Sequence, residues 1–317
     1  MGPAPDAPGS FARGIFAKIL ARPYLLLVLA AMFWGGNVTA GKLAVGHVDP
    51  GFLVIARWAG ALLILLPLSW PHVRRDWPAI RPALPLLFLF GALGFTGFNL
   101  LLYHSVRFTS AVNASMEQAL IPVLVLLANF LVFAVRPGIL QIAGLVLTVL
   151  GVVWVATNGE PARVLALNIN VGDLMVLLAC VFYTAYSLAL RFKPSINWLS
   201  FLAVTATSAL LTALLFQAII GGGLLHVFTL VPGITLKGWL IILYVMIFPS
   251  ILAQLFYARG VEIVGPNRAS IFINLLPVFG TILSVIIIGE RFETYHAIAA
   301  ILVVCGIAMA EFGARKT

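Results

Sequence analysis

The stretch NLLLYHSVRFTSAVNASMEQALIPVLVLL, residues 99–127, lies over QLFYARGVEIVGPNRASIFINLLPVFGTI, residues 254–282, without a gap. At the constant offset of 155, Asn99 meets Gln254 and Val106 meets Val261. Ala114-Ser115 meets Ala269-Ser270, and Pro122 meets Pro277. Leucines align in any apolar chain; an amide, an Ala-Ser pair and a proline in register are stronger evidence. Phe33-Trp34 matches Phe182-Tyr183 at an offset of 149, and the polar stretch near 158–172 forms the join. The chain therefore reads as a duplication.

What is duplicated is apolar. Of 317 residues, 62% are hydrophobic and 9% charged, and the mean hydropathy is +1.11. Soluble domains carry about 25% charge because their surface faces water; this chain must face mostly lipid. A transmembrane helix needs roughly 20 apolar residues. Ten such stretches are expected, near 23–45, 51–70, 84–106, 112–135, 138–157, 171–192, 197–220, 235–258, 266–289 and 294–312. Their continuous Leu/Ala-rich character excludes the alternation of a β-barrel. The fold class is thus an all-α integral membrane protein of ten transmembrane helices. Residues 1–22 are expected to form a cytoplasmic tail, with an interfacial helix and a frayed segment both open, 23–157 the first five-helix repeat and 158–170 the connection. The second repeat is 171–312, and 313–317 close the chain. Five is odd, so the second copy inserts upside down, the plan of many secondary transporters.

Lys and Arg set the orientation. With both ends cytoplasmic, thirteen fall on the cytoplasmic side and five opposite, with Arg57 inside a span. Topology thereby accounts for the net charge of +9 without a nucleic-acid partner. The partners expected are a small-molecule substrate and the lipid bilayer, with monomer and homodimer both open. The first 22 residues lack the apolar core of a cleavable signal. Cys180 and Cys305 sit in apolar runs without metal or disulfide spacing. Neither a phosphate-binding GxxxxGK[ST] loop nor an HExxH helix occurs. No cofactor, no metal and no enzymatic activity are expected. Glu290, Arg291, Glu293 and His296, the one ionisable cluster near an interface, read as a solvated loop.

The run FWGGN at 33–37 and FLVIARWAGALLILL from Phe52 are followed by YHSVRFTSAVNAS from Tyr103. YARGVEIVGPNRAS from Tyr257 and LLPVFGTILSVIIIGERF from Leu275 carry the pattern into the second half. In this order, the sequence resembles the drug/metabolite transporter superfamily, in its EamA-type branch. The resemblance implies a secondary or facilitative carrier of small metabolites, usually an exporter, in the cell's inner (plasma) membrane. Within the branch the chain is similar to exporters of aromatic amino acids. Nucleobases, sugars and drugs are alternative cargoes, and a lipid flippase or membrane enzyme a more distant reading. Two departures stand out. Val135-Arg136-Pro137 replaces the Gly289-Glu290-Arg291 of the second half, and Glu117-Gln118 occupies positions commonly apolar in the family.

Polar groups inside a bilayer are costly and mark function. Arg57 and Glu117 are expected roughly 9 Å and 8 Å deep from the same side, at 1.5 Å rise per residue. That depth match predicts an ion pair between them. Glu117 is alternatively a contact for a substrate ammonium or a proton-coupling group, and Arg57 a structural or gating residue. Helically spaced polar residues predict a central substrate cavity: Asn99 and Tyr103, Tyr183 and Tyr186, Gln254 and Tyr257, and Asn274. Trp34 and Asn37 of the FWGGN run complete the candidate site. Pro122 and Pro277, being repeat partners, are expected to bend their helices at corresponding places and to gate.

Overall fold

The computed structural model describes residues 22–160 and 170–314. The interfacial helix considered for the tail and most of the 158–170 connection lie outside the described residues. Ten long helices are present among those described, and no strand. They are α1 (Pro23–Ala44), α2 (Pro50–Ile80), α3 (84–105), α4 (Ala111–Phe133) and α5 (Ile139–Ala156). The second half contributes α6 (Val171–Ala189), α7 (Trp198–Ile219), α8 (Leu236–Val264), α9 (266–288) and α10 (Thr294–Ala314). In hydrocarbon every backbone N–H and C=O must be satisfied internally, and only helices do so within one segment. The start of α1 marks one face, called the near face; α4 and α6 start at the opposite, far face.

The expected spans hold except at two ends. The second helix continues past residue 70 to Ile80, with Pro67, Pro71 and Pro78 inside it, and α8 runs to Val264. Helix starts follow from local chemistry. Asp49 Oδ1 accepts from Phe52 N at 3.0 Å and Pro50 opens α2. Ser110 caps α4 through Asn113 N at 2.9 Å, and Thr235 caps α8 through Gly238 N at 3.1 Å. Each cap satisfies a backbone donor that the helix leaves free.

The periphery is apolar, as a lipid-facing surface requires: Leu63 is 80% exposed, Ile139 88% and Ile286 74%. Between helices, small residues let backbones touch. A Cβ on Gly144 of α5 would strike the Gly306 carbonyl of α10, and one on Gly91 of α3 the Thr205 carbonyl of α7.

The two repeats break at equivalent places. In α3 the helix widens to a π turn over Gly91–Gly97, and in α8 over Phe248–Leu252. At the offset of 155 the first range maps onto 246–252. In α4 the α-helix stops at Glu117 and resumes at Leu120. In α9 a tight 3-10 turn spans Ile271–Leu275, the positions equivalent to 116–120. Pro122 and Pro277 each sit just beyond their break. Proline cannot donate the intrahelical bond and crowds the carbonyl four residues back.

Candidate functional site

The π turn of α8 builds the polar centre of the molecule. Pro249 has no N–H to offer the Val245 carbonyl four residues back. The Ser250 hydroxyl donates to that carbonyl instead, at 2.6 Å, and its oxygen accepts Arg57 Nε at 2.5 Å. Trp34 Nε1 donates to the Pro249 carbonyl at 3.1 Å. The π turn of α3 behaves alike: Asn99 Nδ2 donates to the Phe95 carbonyl within it at 2.5 Å.

Arg57, 4% exposed, ties four helices together. Its Nη1 donates to Asn37 Oδ1 at 3.0 Å, to Asn99 Oδ1 at 2.7 Å and to the Tyr103 hydroxyl at 2.7 Å. Tyr103 donates onward to Asn37 Oδ1 at 2.6 Å, and Asn37 Nδ2 to Asn99 Oδ1 at 3.0 Å. The expected ion pair with Glu117 is not formed. Both Glu117 oxygens lack a hydrogen-bond partner, because Glu117 faces α6 and Arg57 faces α1, α3 and α8. Depth along two helices fixes height, and a contact also needs the azimuth. Arg57 is thus a buried cation bonded to neutral groups, with no carboxylate in salt-bridge distance among the described residues.

Next to this knot stands a wall of aromatic rings. Trp34 and Tyr257 lie 5.3 Å apart. Phe98 and Tyr183 are 5.3 Å apart, and Tyr183 and Tyr186 5.4 Å. Tyr257 lies near Tyr183 and Tyr186. Trp34, Tyr183, Gln254 and Tyr257 are half-buried. Toward the far face, a vestibule of about 480 Å³ descends between α1, α2, α3 and the α7–α8 loop, with Leu53 and Tyr103 in its lining. Arg57 sits one turn below Leu53 and holds Tyr103. The knot therefore lies beneath the floor of the vestibule.

The structure brings together Trp34, Asn37, Asn99, Tyr103, Tyr183, Tyr186 and Tyr257, with Gln254 on the adjoining α8. It separates Asn274, which lines a recess of about 150 Å³ with Pro122, Gln141 and Thr148 between α4, α5, α9 and α10. Asn274 shares helical spacing with the cavity residues, and the 3-10 turn at Ile271–Leu275 redirects it. Ser250 joins the centre as the link between Arg57 and α8. The sequence signal for it is its helical spacing with Gln254 and Tyr257.

In the far-face ionisable cluster Arg291 and Glu293 are exposed, as a solvated loop would have them, but Glu290 and His296 are held against α4. Glu290 accepts from Ala111 N at 2.9 Å and Val112 N at 2.8 Å, closing the start of α4. His296 accepts from Glu293 N through Nδ1 at 2.8 Å, so its Nε2–H donates to Asn113 Oδ1 at 2.9 Å. A carboxylate on two N-terminal donors is favoured by both hydrogen bonding and the helix dipole. Glu290→Gln should lower stability by about 1–2 kcal/mol, read as a lower thermal midpoint of the purified protein; an unchanged midpoint would refute the clamp.

Comparison with known proteins follows the same architecture. The model of the EamA-like transporter family matches residues 21–157 and again 170–312. The uncharacterized transporter YyaM of Bacillus subtilis is 25% identical over 295 residues, spanning 91% of this chain and 93% of that protein. The uncharacterized inner membrane transporter YicL of Salmonella typhimurium is 23% identical over 301 residues, spanning 92% and 96%. A solved crystal structure shares the fold with a TM-score of 0.60 at 21% identity, covering 93% of this chain and 98% of that one.

Proposed function

The chain belongs to the EamA-like transporter family, and from that premise we propose that it carries aromatic and other neutral amino acids. It acts as a secondary or facilitative exporter of the inner (plasma) membrane. The observation that carries this reading is an aromatic wall beside a cation without a counter-ion. Phe98, Tyr183 and Tyr186, with Trp34 and Tyr257, offer ring faces and edges to a planar side chain. Such contacts contribute about 0.5–1.5 kcal/mol each beyond area burial. Arg57 supplies the positive charge for a substrate carboxylate, and Asn37, Asn99 and Gln254 supply hydrogen bonds.

The near face is cytoplasmic in this reading, because most Lys and Arg lie there. Substrate enters along the aromatic wall and leaves through the far-face vestibule once the Tyr103–Arg57 knot opens. The paired breaks in α3 and α8, and in α4 and α9, support alternating access. Broken helices at matching points of inverted repeats line transporter sites and flex around them.

The test is uptake of radiolabelled phenylalanine into proteoliposomes holding the purified protein, with unlabelled competitors and protein-free vesicles. Saturable uptake competed by tyrosine and tryptophan is expected. Tyr183→Ala should raise the half-saturating concentration about three- to tenfold, the equivalent of losing one aromatic contact. Folded protein that takes up no member of an amino-acid panel would overturn the substrate class.

A further inference from the structure

Between α4 and α6, on the far side of the molecule's middle, two acids face each other. Glu117 is 0% exposed and Asp173 2%. Both Glu117 oxygens and Asp173 Oδ1 have no hydrogen-bond partner, and no salt bridge reaches either acid among the described residues.

The surrounding ionisable groups are committed elsewhere. From α1, Lys42 Nζ bonds the Val106 and Thr109 carbonyls, each at 2.8 Å. From α3, His104 Nδ1 bonds the Leu100 carbonyl at 2.8 Å. From α10, His296 bonds Asn113, and Glu290 of the preceding loop holds the α4 backbone. On α6 itself, the Cys180 thiol points at the Glu117 carbonyl at 3.8 Å, and Tyr183 belongs to the aromatic wall. The described part of α9 carries only Arg268, at the near face, and α5 no charged residue.

Two adjacent carboxylates without a cation cannot both stay ionised in a low-dielectric site. One proton shared between them removes the repulsion and supplies the missing hydrogen bond. Glu117 is also the last residue before the break in α4. The interruption at Gln118-Ala119 divides Ala111–Glu117 from Leu120–Phe133.

We propose that Glu117 and Asp173 form a one-proton binding site, and that loading and release of this proton are linked to substrate movement. With the proton bound, Ala111–Glu117 packs on α6. Proton release leaves two carboxylates that repel, and the segment moves off α6 toward water on the far face. The linkage rests on the carrier reading above; the proton site does not.

Infrared spectroscopy of the full-length protein in lipid nanodiscs tests the site without any substrate. The wild type should hold a protonated-carboxyl C=O band at neutral pH that disappears on alkaline titration. Glu117→Gln and Asp173→Asn should each lose that band. Its absence from the wild type, or its survival in both variants, would overturn the site. Asp173→Asn keeps the test open if Glu117→Gln does not fold. Loss of the wild-type band on adding sodium at constant pH would also overturn it, since the pair would then bind a metal cation. Proteoliposomes loaded with a pH-sensitive dye test the linkage. Phenylalanine moving down its gradient should change lumenal pH with the wild type and not with Glu117→Gln. Movement without a pH change in the wild type would overturn the linkage. Failure of the wild type to move phenylalanine would count against the substrate reading, and the infrared result would stand by itself.

Discussion

Replacing Arg57 with methionine should leave the protein folded and remove at least nine-tenths of its transport. Every group that Arg57 touches keeps another partner. Asn37 Oδ1 retains the Tyr103 hydroxyl, Asn99 Oδ1 retains Asn37 Nδ2, and Ser250 still donates to the Val245 carbonyl. The variant therefore strands no buried acceptor, which is the usual source of a large penalty. It loses charge-assisted hydrogen bonds of about 1.5–3 kcal/mol each, offset by the several kcal/mol that a buried cation without a counter-ion costs. The net change in stability should lie within about 2 kcal/mol. Transport should fall more than tenfold, because the uncompensated charge next to the aromatic wall is gone. Arg57→Lys should not rescue it, since one ammonium cannot span the four partners that the guanidinium bridges. Thermal unfolding and phenylalanine uptake on the same preparations check both halves. A collapse in stability with methionine would assign Arg57 to architecture alone.

Gly35→Ala should be strongly damaging, because it brings a methyl against the backbone of α9. A Cβ there would sit 2.8 Å from Gly280 N, 2.9 Å from the Leu276 carbonyl and 2.9 Å from Phe279 Cβ. None of these atoms can move without moving α9. The expected cost is about 1–3 kcal/mol, together with a fall in turnover if, as proposed above, the halves that α1 and α9 belong to move against each other. Two comparisons isolate the cause. Gly60→Ala also collides, but with the Met246 thioether, a flexible end that can swing aside, and should cost far less. Gly233→Ala meets nothing within 4 Å and should stay within about 0.5 kcal/mol of wild type. Thermal midpoints of the three variants rank them. Equal effects at Gly35 and Gly60 would show that the α1–α9 crossing yields as readily as a side chain.

The repeats are unequal in ways that bear on these predictions. Position 184, the counterpart of Gly35, is a threonine that bonds its own helix at the Cys180 carbonyl at 2.7 Å. The Glu290 clamp has no carboxylate counterpart in the first half, where Val135-Arg136-Pro137 stands. Asn37 and Tyr103 correspond to Tyr186 and Ala258, so the polar knot is a feature of the first half and the aromatic wall mostly one of the second. Pseudo-symmetry places equivalent backbone breaks around one centre, and divergence gives the two sides different chemistry.

Composition alone determined the solvent of this chain, because 9% charge cannot coat a protein in water. The gapless repeat at offset 155 marked Pro122 and Pro277, each of which sits just beyond a break in its helix; the π turns of α3 and α8 it did not mark. Proline and polar residues at matching positions report local backbone strain, and such strain depends on near neighbours in sequence. Helix count followed from the rise of 1.5 Å per residue against a fixed bilayer thickness. The partners of buried polar groups were not legible. Arg57 and Glu117 share a depth, yet Arg57 turned to Asn37, Asn99, Tyr103 and Ser250, and Glu117 to Asp173. Asp173 reads in sequence as an ordinary acid in the first turn of a helix. Only the packing of α6 on α4 buries it and sets it against Glu117. Sequence spacing fixes height and face within one helix; the rotation of each helix about its axis is fixed by side-chain packing between helices, and that rotation decides which buried charges meet.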